Sequence, residues 1–361
     1  MIFKKYHNYL TGLFLRNILI ILTVFIFLSF FLNIFEEIKY FENKENNIYY
    51  PIILTILNIP SIVFEILPFI FLLGVMFFFM NLFEKDEINL LRNHGINNFK
   101  ITVLISMVSL IIGILLIVVY YSFSANLKSL YLSMKYKYSN DGDHLAVVNE
   151  AGLWIKEKNI NDRIFIINAT NYKKNRLGNL NITELDENYK PKKTIIASSA
   201  NISEKNWLLE NVKIYSSDKK TQFFLNFTYL SSFDGNIISN LYSNLSSLNI
   251  IQLIELQKNY ETIGYSATEV KLHLNKIFSL PFYLTLTAII GALLMFKFNF
   301  IKSKFFLIVI GVLVSVIFYY LNYFSILFGK NETLPIFIAV WLPQVIMFLV
   351  CTIGLLRLNE N

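Results

Sequence analysis

Long apolar runs dominate both ends of the chain, and a polar stretch of different grain separates them. The runs cover residues 17–35, 62–83, 101–121, 277–296, 305–327 and 334–356. Each is about 20 residues long, the length at which a helix crosses a hydrocarbon core of about 30 Å. The pattern predicts an α-helical membrane protein with six transmembrane helices. Residues 1–135 carry the first three, a polar insert spans 136–262, and residues 263–361 carry the last three.

Within the insert the period shortens. Residues 145–149, 153–156, 163–168, 181–185, 194–197, 207–214 and 222–227 read as strands, and Asn, Gly, Asp and Lys clusters between them supply turn chemistry. Many short strands with regular turns predict an inserted all-β domain of sandwich or jelly-roll type rather than an α/β domain. Residues 250–260 read as a helix leading back toward the fourth span.

Composition supports the membrane reading. Hydrophobic residues make up 55% of the chain and charged residues only 16%, against about 25% charged in soluble domains. Lys4 and Lys5 precede the first span as in a secretion signal. Its apolar core is too long, however, and no small-x-small cleavage site follows, so it reads as a retained anchor. The single cysteine, Cys351, excludes a disulfide within one chain.

The net charge of +7 is concentrated outside the insert. Lys4, Lys5, Lys85, Arg92, Lys100, Lys297, Lys302, Lys304 and Arg357 lie at the chain ends and in the loops after spans 2 and 4. The loop after span 1 is acidic, with Glu36, Glu37, Glu42 and Glu45 outweighing Lys39 and Lys44. The positive-inside rule then places both termini in the cytoplasm and the insert outside, in the periplasm of a Gram-negative cell. This distribution speaks against a nucleic-acid partner.

Catalytic signatures are missing from the sequence. There is no G-x-x-x-x-G-K-[ST] phosphate loop, no H-E-x-x-H and no G-x-S-x-G elbow. His7, His94, His144 and His273 are scattered without metal-ligand spacing and read as surface or interfacial residues. No catalytic residue, metal site or cofactor is expected in this chain. Energy for any uphill movement has to come from a partner or an ion.

The most informative local segment is the loop after span 2, Glu84-Lys85-Asp86-Glu87-Ile88-Asn89-Leu90-Leu91-Arg92-Asn93-His94-Gly95-Ile96. Asp86 is placed to cap a helix, Glu87 to favour its first turn, Arg92 its last turn, and Gly95 to supply a left-handed stop. Ile88 and Leu91, three apart, share a face. A short capped helix of this kind reads as an ordinary interfacial helix between two spans, or as one that docks into a groove on a cytosolic subunit.

This segment resembles the E-L-x-x-x-R-x-x-G-[IF] coupling helix of the LptF/LptG family, the permease subunits of the lipopolysaccharide exporter. Glu87, Ile88, Arg92, Gly95 and Ile96 occupy that pattern. Pro60 and the run Phe64-Glu65-Ile66-Leu67-Pro68-Phe69, followed by Leu73-Gly74, are similar to the family's second span. Ala151-Gly152-Leu153-Trp154-Ile155-Lys156 looks like the G-L-W segment of the LptG branch. Lys276 with Pro281 resembles the start of the fourth span, and Ala339-Val340-Trp341-Leu342-Pro343 the turn in the sixth. Two places depart from the pattern. Phe296-Lys297-Phe298 stands where the family usually has F-x-x-R, and Lys39-Tyr40 replaces a basic pair.

The resemblance implies an inner-membrane permease subunit of LptG type that extracts lipopolysaccharide from the outer leaflet and passes it to a periplasmic bridge. It implies three partners: an LptF-like permease subunit, a cytosolic LptB-like ATPase dimer that binds the ATP, and an LptC-like protein. It assigns ATPase coupling to Glu84, Asp86, Glu87, Ile88, Leu91, Arg92 and Gly95. The LptF paralogue, and a non-transporting scaffold or sensor with a β-rich ectodomain, stand as alternatives. Candidate cavity or substrate residues are Phe31, Glu36, Lys39 and Glu65. Glu65, an acid between Pro60 and Pro68, either faces a cavity within the membrane or sits at the interface. Glu36 and Lys39 either meet a phosphorylated sugar or form a surface ion pair.

Overall fold

The structure is a computed structural model. It describes residues 2–41, 49–137, 153–158, 164–173, 175–185, 190–216, 219–231, 233, 235, 244–263, 266–298 and 303–360. The first helices are α1 (Ile2–Phe41), α2 (Tyr49–Glu84), α3 (Glu87–Asn93) and α4 (Asn98–Leu115). A π-helical turn (Leu116–Tyr121) joins α4 to α5 (Ser122–Lys137). Six strands follow: β1 (Leu153–Lys158), β2 (Ile164–Lys173), β3 (Arg176–Leu185), β4 (Pro191–Asn201), β5 (Asn206–Ser216) and β6 (Lys219–Leu230). The chain closes with α6 (Ile250–Ile263), α7 (Thr268–Lys297), α8 (Lys304–Lys330) and α9 (Ile336–Glu360). It divides into two compact units, Met1–Tyr131 with Lys271–Asn361, and Leu132–Val270.

In the helical unit six stretches are long and apolar enough to cross a membrane: α1, α2, α4 continued through α5, α7, α8 and α9. Three precede the strands in the chain and three follow. Several helices outrun the apolar runs that predict them; α2 begins at Tyr49, well before residue 62. Hydropathy marks only the part that needs hydrocarbon, whereas a helix continues as long as its backbone bonds are favourable. Pro60 and Pro68 lie inside α2 without ending it. Where water is scarce, breaking a helix strands more backbone groups than the single N–H each proline lacks.

Burial sorts the helices. Within the most apolar windows, 67% of α2 and 72% of α7 is buried, against 17% of α1 and of α8. So α2 and α7 form the interior, and α1 and α8 present broad outward apolar faces. α1 packs along α2, α8 against α2 and α9, and α4 against α1 and α9. Two glycines allow close crossings. A Cβ on Gly113 would stand 2.6 Å from Pro281 Cα, and one on Gly291 would stand 2.9 Å from the Leu72 carbonyl oxygen. Small residues at helix crossings let backbones approach where the hydrophobic effect gives no drive between helices.

The second unit is built on one six-stranded antiparallel sheet in the order β1-β2-β3-β4-β5-β6. Six of the seven expected strand segments appear; residues 145–149 lie outside the described residues, as do Ala151 and Gly152. The described strands form a consecutive meander, so the crossovers that define a jelly roll are not among them. Alternation along a strand sets which face is buried but carries no information on which strand lies next to it. One face holds Leu153, Ile167, Leu180, Ile182, Trp207 and Leu209 in a single apolar cluster. Trp207 is fully buried and donates from Nε1 to the Phe233 carbonyl at 2.8 Å.

Candidate functional site

α3 is seven residues long and is fastened at both ends. Asp86 holds its N-cap position but with a left-handed backbone, φ 55°, and no side-chain capping bond. This corrects the expected cap. An N-cap side chain reaches the first amides from an extended backbone. The left-handed turn directs Asp86 elsewhere, and its carboxylate accepts from Asn89 Nδ2 at 2.6 Å. The other end follows expectation. Gly95 has φ 80°, the Gly95 N–H donates to Arg92 O at 2.9 Å, and the Ile96 N–H donates to Leu91 O at 3.0 Å. These are the two bonds of a Schellman stop.

Side chains tie this helix to its surroundings. The Tyr9 hydroxyl lies 2.9 Å from Oε1 and 2.8 Å from Oε2 of Glu87, and so donates its one proton across both oxygens. Arg92 Nε donates to Oδ1 of Asn98 at 3.1 Å, which fixes the last turn of α3 to the first residue of α4. Lys100 Nζ donates to the Gly95 carbonyl at 3.1 Å. Beside them Lys304 Nζ, at the start of α8, stands 2.7 Å from Glu84 Oε1 at the end of α2.

Ile88 and Leu91 were expected to offer their shared face to a partner. Ile88 is instead 3% exposed and Leu91 half-buried. The i, i+3 pair does share a face, but that face turns into the bundle, where α3 packs against α2. Withdrawing a large aliphatic side chain from water is worth about 1.5–3 kcal/mol. The apolar residue left outward is Leu90, 56% exposed, beside exposed Arg92, Asn93 and His94. Among the other expected residues, Glu84, Asp86 and Gly95 are exposed and Glu87 is half-buried.

Phe31, Glu36, Lys39 and Glu65 are all exposed. The first three lie on the last turns of α1. Glu65 lies roughly 28 Å along α2 from Glu84, at about 1.5 Å per residue, which is close to one hydrocarbon thickness. Phe69, one turn along α2 from Glu65, packs against α8. Tyr319, Tyr320, Tyr323 and Phe324 form a half-exposed aromatic band there, with Phe69 of α2 against Tyr319 at 5.9 Å.

A buried polar network also lies outside the expected site residues. Glu37, 1% exposed, accepts from the Tyr131 hydroxyl at 2.7 Å. Lys128 Nζ lies 4.6 Å over the Tyr131 ring and donates to Asn58 Oδ1 at 2.6 Å. Asn58 Nδ2 in turn donates to Asn33 Oδ1 at 3.0 Å. The network joins α1, α2 and α5. Its signal was available: Asn33 and Glu37, four apart, share a helix face. His273, expected as a surface or interfacial residue, is half-buried with Nε2 3.1 Å from the Tyr121 hydroxyl. That contact joins α7 to the π-helical turn, a local widening often found at functional sites.

Residues 8–357 match the family model described as Lipopolysaccharide export system permease LptF/LptG. The chain belongs to the LptF/LptG family. Among curated proteins no match to the chain is found. The family match covers nearly the whole sequence, both halves and the strands between them. Membership makes the chain a permease subunit of the lipopolysaccharide export system and a multi-pass membrane protein. The LptF/LptG family works in a complex with other Lpt components and is not a catalytic enzyme family.

Proposed function

We propose that this LptF/LptG member is the LptG-type permease of an ABC exporter in the inner membrane, with both termini cytoplasmic and the strand-rich unit periplasmic. It pairs with an LptF-like subunit so that two sets of six spans enclose a lipid cavity. A cytosolic LptB-like ATPase dimer, which binds the ATP, grips the segment 84–96 of each. Closure of that dimer draws the two segments together, the cavity narrows, and lipopolysaccharide leaves the outer leaflet for the periplasmic side. There an LptC-like partner receives it and hands it to the periplasmic bridge.

The observation that carries this reading is α3. A short helix with a firm Schellman stop projects Leu90 outward, while Glu87, Ile88 and Arg92 anchor it to α1, α2 and α4. Such an element transmits force instead of absorbing it. The LptG assignment rests on the resemblance of the Gly152-Leu153-Trp154 segment, and the finer expectation for the outer unit is a jelly roll. β6 supports a strand-rich receiver. It is an outer strand of the described sheet, and Phe223 and Leu225 along it are 68% and 81% exposed, an edge of the kind that accepts an added strand.

Co-purification of the ATPase with Leu90→Asp and Arg92→Glu variants tests the reading. The expected result is loss of the ATPase from a permease pair that still assembles. Retention of the ATPase at wild-type stoichiometry by both variants contradicts it.

A further inference from the structure

We infer that Tyr9 is a positioning residue for energy transfer: it aims the Glu87 carboxylate and makes α1 move with α3. The inference rests on the reading of α3 as the ATPase-docking helix and goes beyond it, because Tyr9 lies on a different helix and outside the docking segment.

The geometry has two parts. At the contact, the phenol hydroxyl stands almost equidistant from both Glu87 oxygens, 2.9 and 2.8 Å, which restrains the side chain's rotation at the first residue of α3. A carboxylate offers about four lone-pair sites, so this single donor leaves room for a cationic group of a docking partner. Glu87 is thereby held in one orientation before the partner arrives.

Away from the contact, the next turns of α1 are locked to α2. Phe14 is fully buried, with Phe71 and Phe78 edge-on to it at 6.5 and 5.9 Å. Asn81 Nδ2 donates to Asn17 Oδ1 at 2.7 Å, and Gly74 brings α2 against Ile18. From Tyr9 to Ile18, then, α1 is fixed to α2 and α3 as one body. Farther along, Leu28, Phe31, Leu32 and Phe35 of the same helix are each more than half exposed. A displacement of α3 therefore reaches the wide outward face of α1 along a direct route. Tyr9 itself is 48% exposed, and a bond at such a site adds little to fold stability. Its loss leaves the bundle intact and alters the transfer of motion.

The test is made on the whole complex, this chain with its permease partner and ATPase, in proteoliposomes loaded with lipopolysaccharide. ATP hydrolysis and lipid release are read together for wild type, Tyr9→Phe, Glu87→Ala and the double variant. Tyr9→Phe is expected to keep the ATPase bound and hydrolysing while lipid released per ATP falls roughly three- to tenfold, the size of one lost hydrogen bond. In the Glu87→Ala background the same change is expected to add nothing. An unchanged ratio in Tyr9→Phe, or an equal drop in the Glu87→Ala background, overturns the role of Tyr9 and leaves α3 docking standing. Failure of the ATPase to bind even the wild-type chain overturns the docking reading and the role of Tyr9 with it.

Discussion

Asn81 of α2 donates from Nδ2 to Oδ1 of Asn17 on α1 at 2.7 Å, within the apolar length of both helices. Asn17 is 3% exposed and also donates to the Leu13 carbonyl at 2.7 Å. Removing one partner strands the other in a setting without water, at a cost of about 1–3 kcal/mol. Asn81→Leu is expected to lower the melting temperature of the purified protein. The double change Asn17→Leu with Asn81→Leu is expected to recover much of the loss, since two apolar groups leave nothing stranded. Thermal melting in detergent checks both, and equal additive losses would count against the pair acting as a unit.

Gly113 meets Pro281 where α4 crosses α7, and an added Cβ would fall 2.6 Å from Pro281 Cα. The obstacle is backbone, which does not swing aside. Gly113→Ala is expected to destabilise by about 1–3 kcal/mol through overpacking. Gly12→Ala serves as control, because its Cβ would meet nothing within 4 Å. A melt in which both substitutions behave alike would show that the crossing tolerates separation.

Gln344 of α9 is 4% exposed, and neither side-chain atom finds a hydrogen-bond partner among the described residues. Burying an amide unsatisfied is unfavourable by about 1–3 kcal/mol. Gln344→Leu is therefore expected to raise the melting temperature of the isolated chain. A fall would mean that the amide is bonded in the working protein.

Tyr229 gives a pH dependence in the strand-rich unit. Burial above all, then the Glu157 carboxylate beside its hydroxyl, pushes the phenol well above its ordinary value of 10.0. Because the folded value exceeds the unfolded one, the contribution is fully present below about pH 10 and is lost as pH rises beyond it. Tyr229→Phe is expected to flatten the fall in thermal stability between about pH 9 and pH 11. An identical alkaline fall in wild type and variant would place the titrating group elsewhere.

Much of this fold was legible because hydropathy and alternation are local. Each apolar run of about 20 residues became a long helix, and six strand segments became β1 to β6. Gly95 was legible for the same reason, since a left-handed stop is specified by one residue. The direction in which α3 faces was not, because Ile88 turns inward only through its neighbours on α2. Tyr9 and Glu87 are far apart in sequence, and nothing local pairs them. Asp86 misled because a capping side chain needs an extended backbone, which the turn there does not supply. The sheet order lay beyond reach because the two-residue period does not choose neighbours.

The central claim is that force enters at α3 and drives lipid out of the bilayer. ATP-dependent release of lipopolysaccharide from proteoliposomes holding this chain, its permease partner and the ATPase tests it most directly, with wild type set against Leu90→Asp. The account predicts release that requires ATP in wild type and falls to background in the variant while the two permease subunits remain assembled. Undiminished ATP-driven release from the Leu90→Asp complex would contradict it.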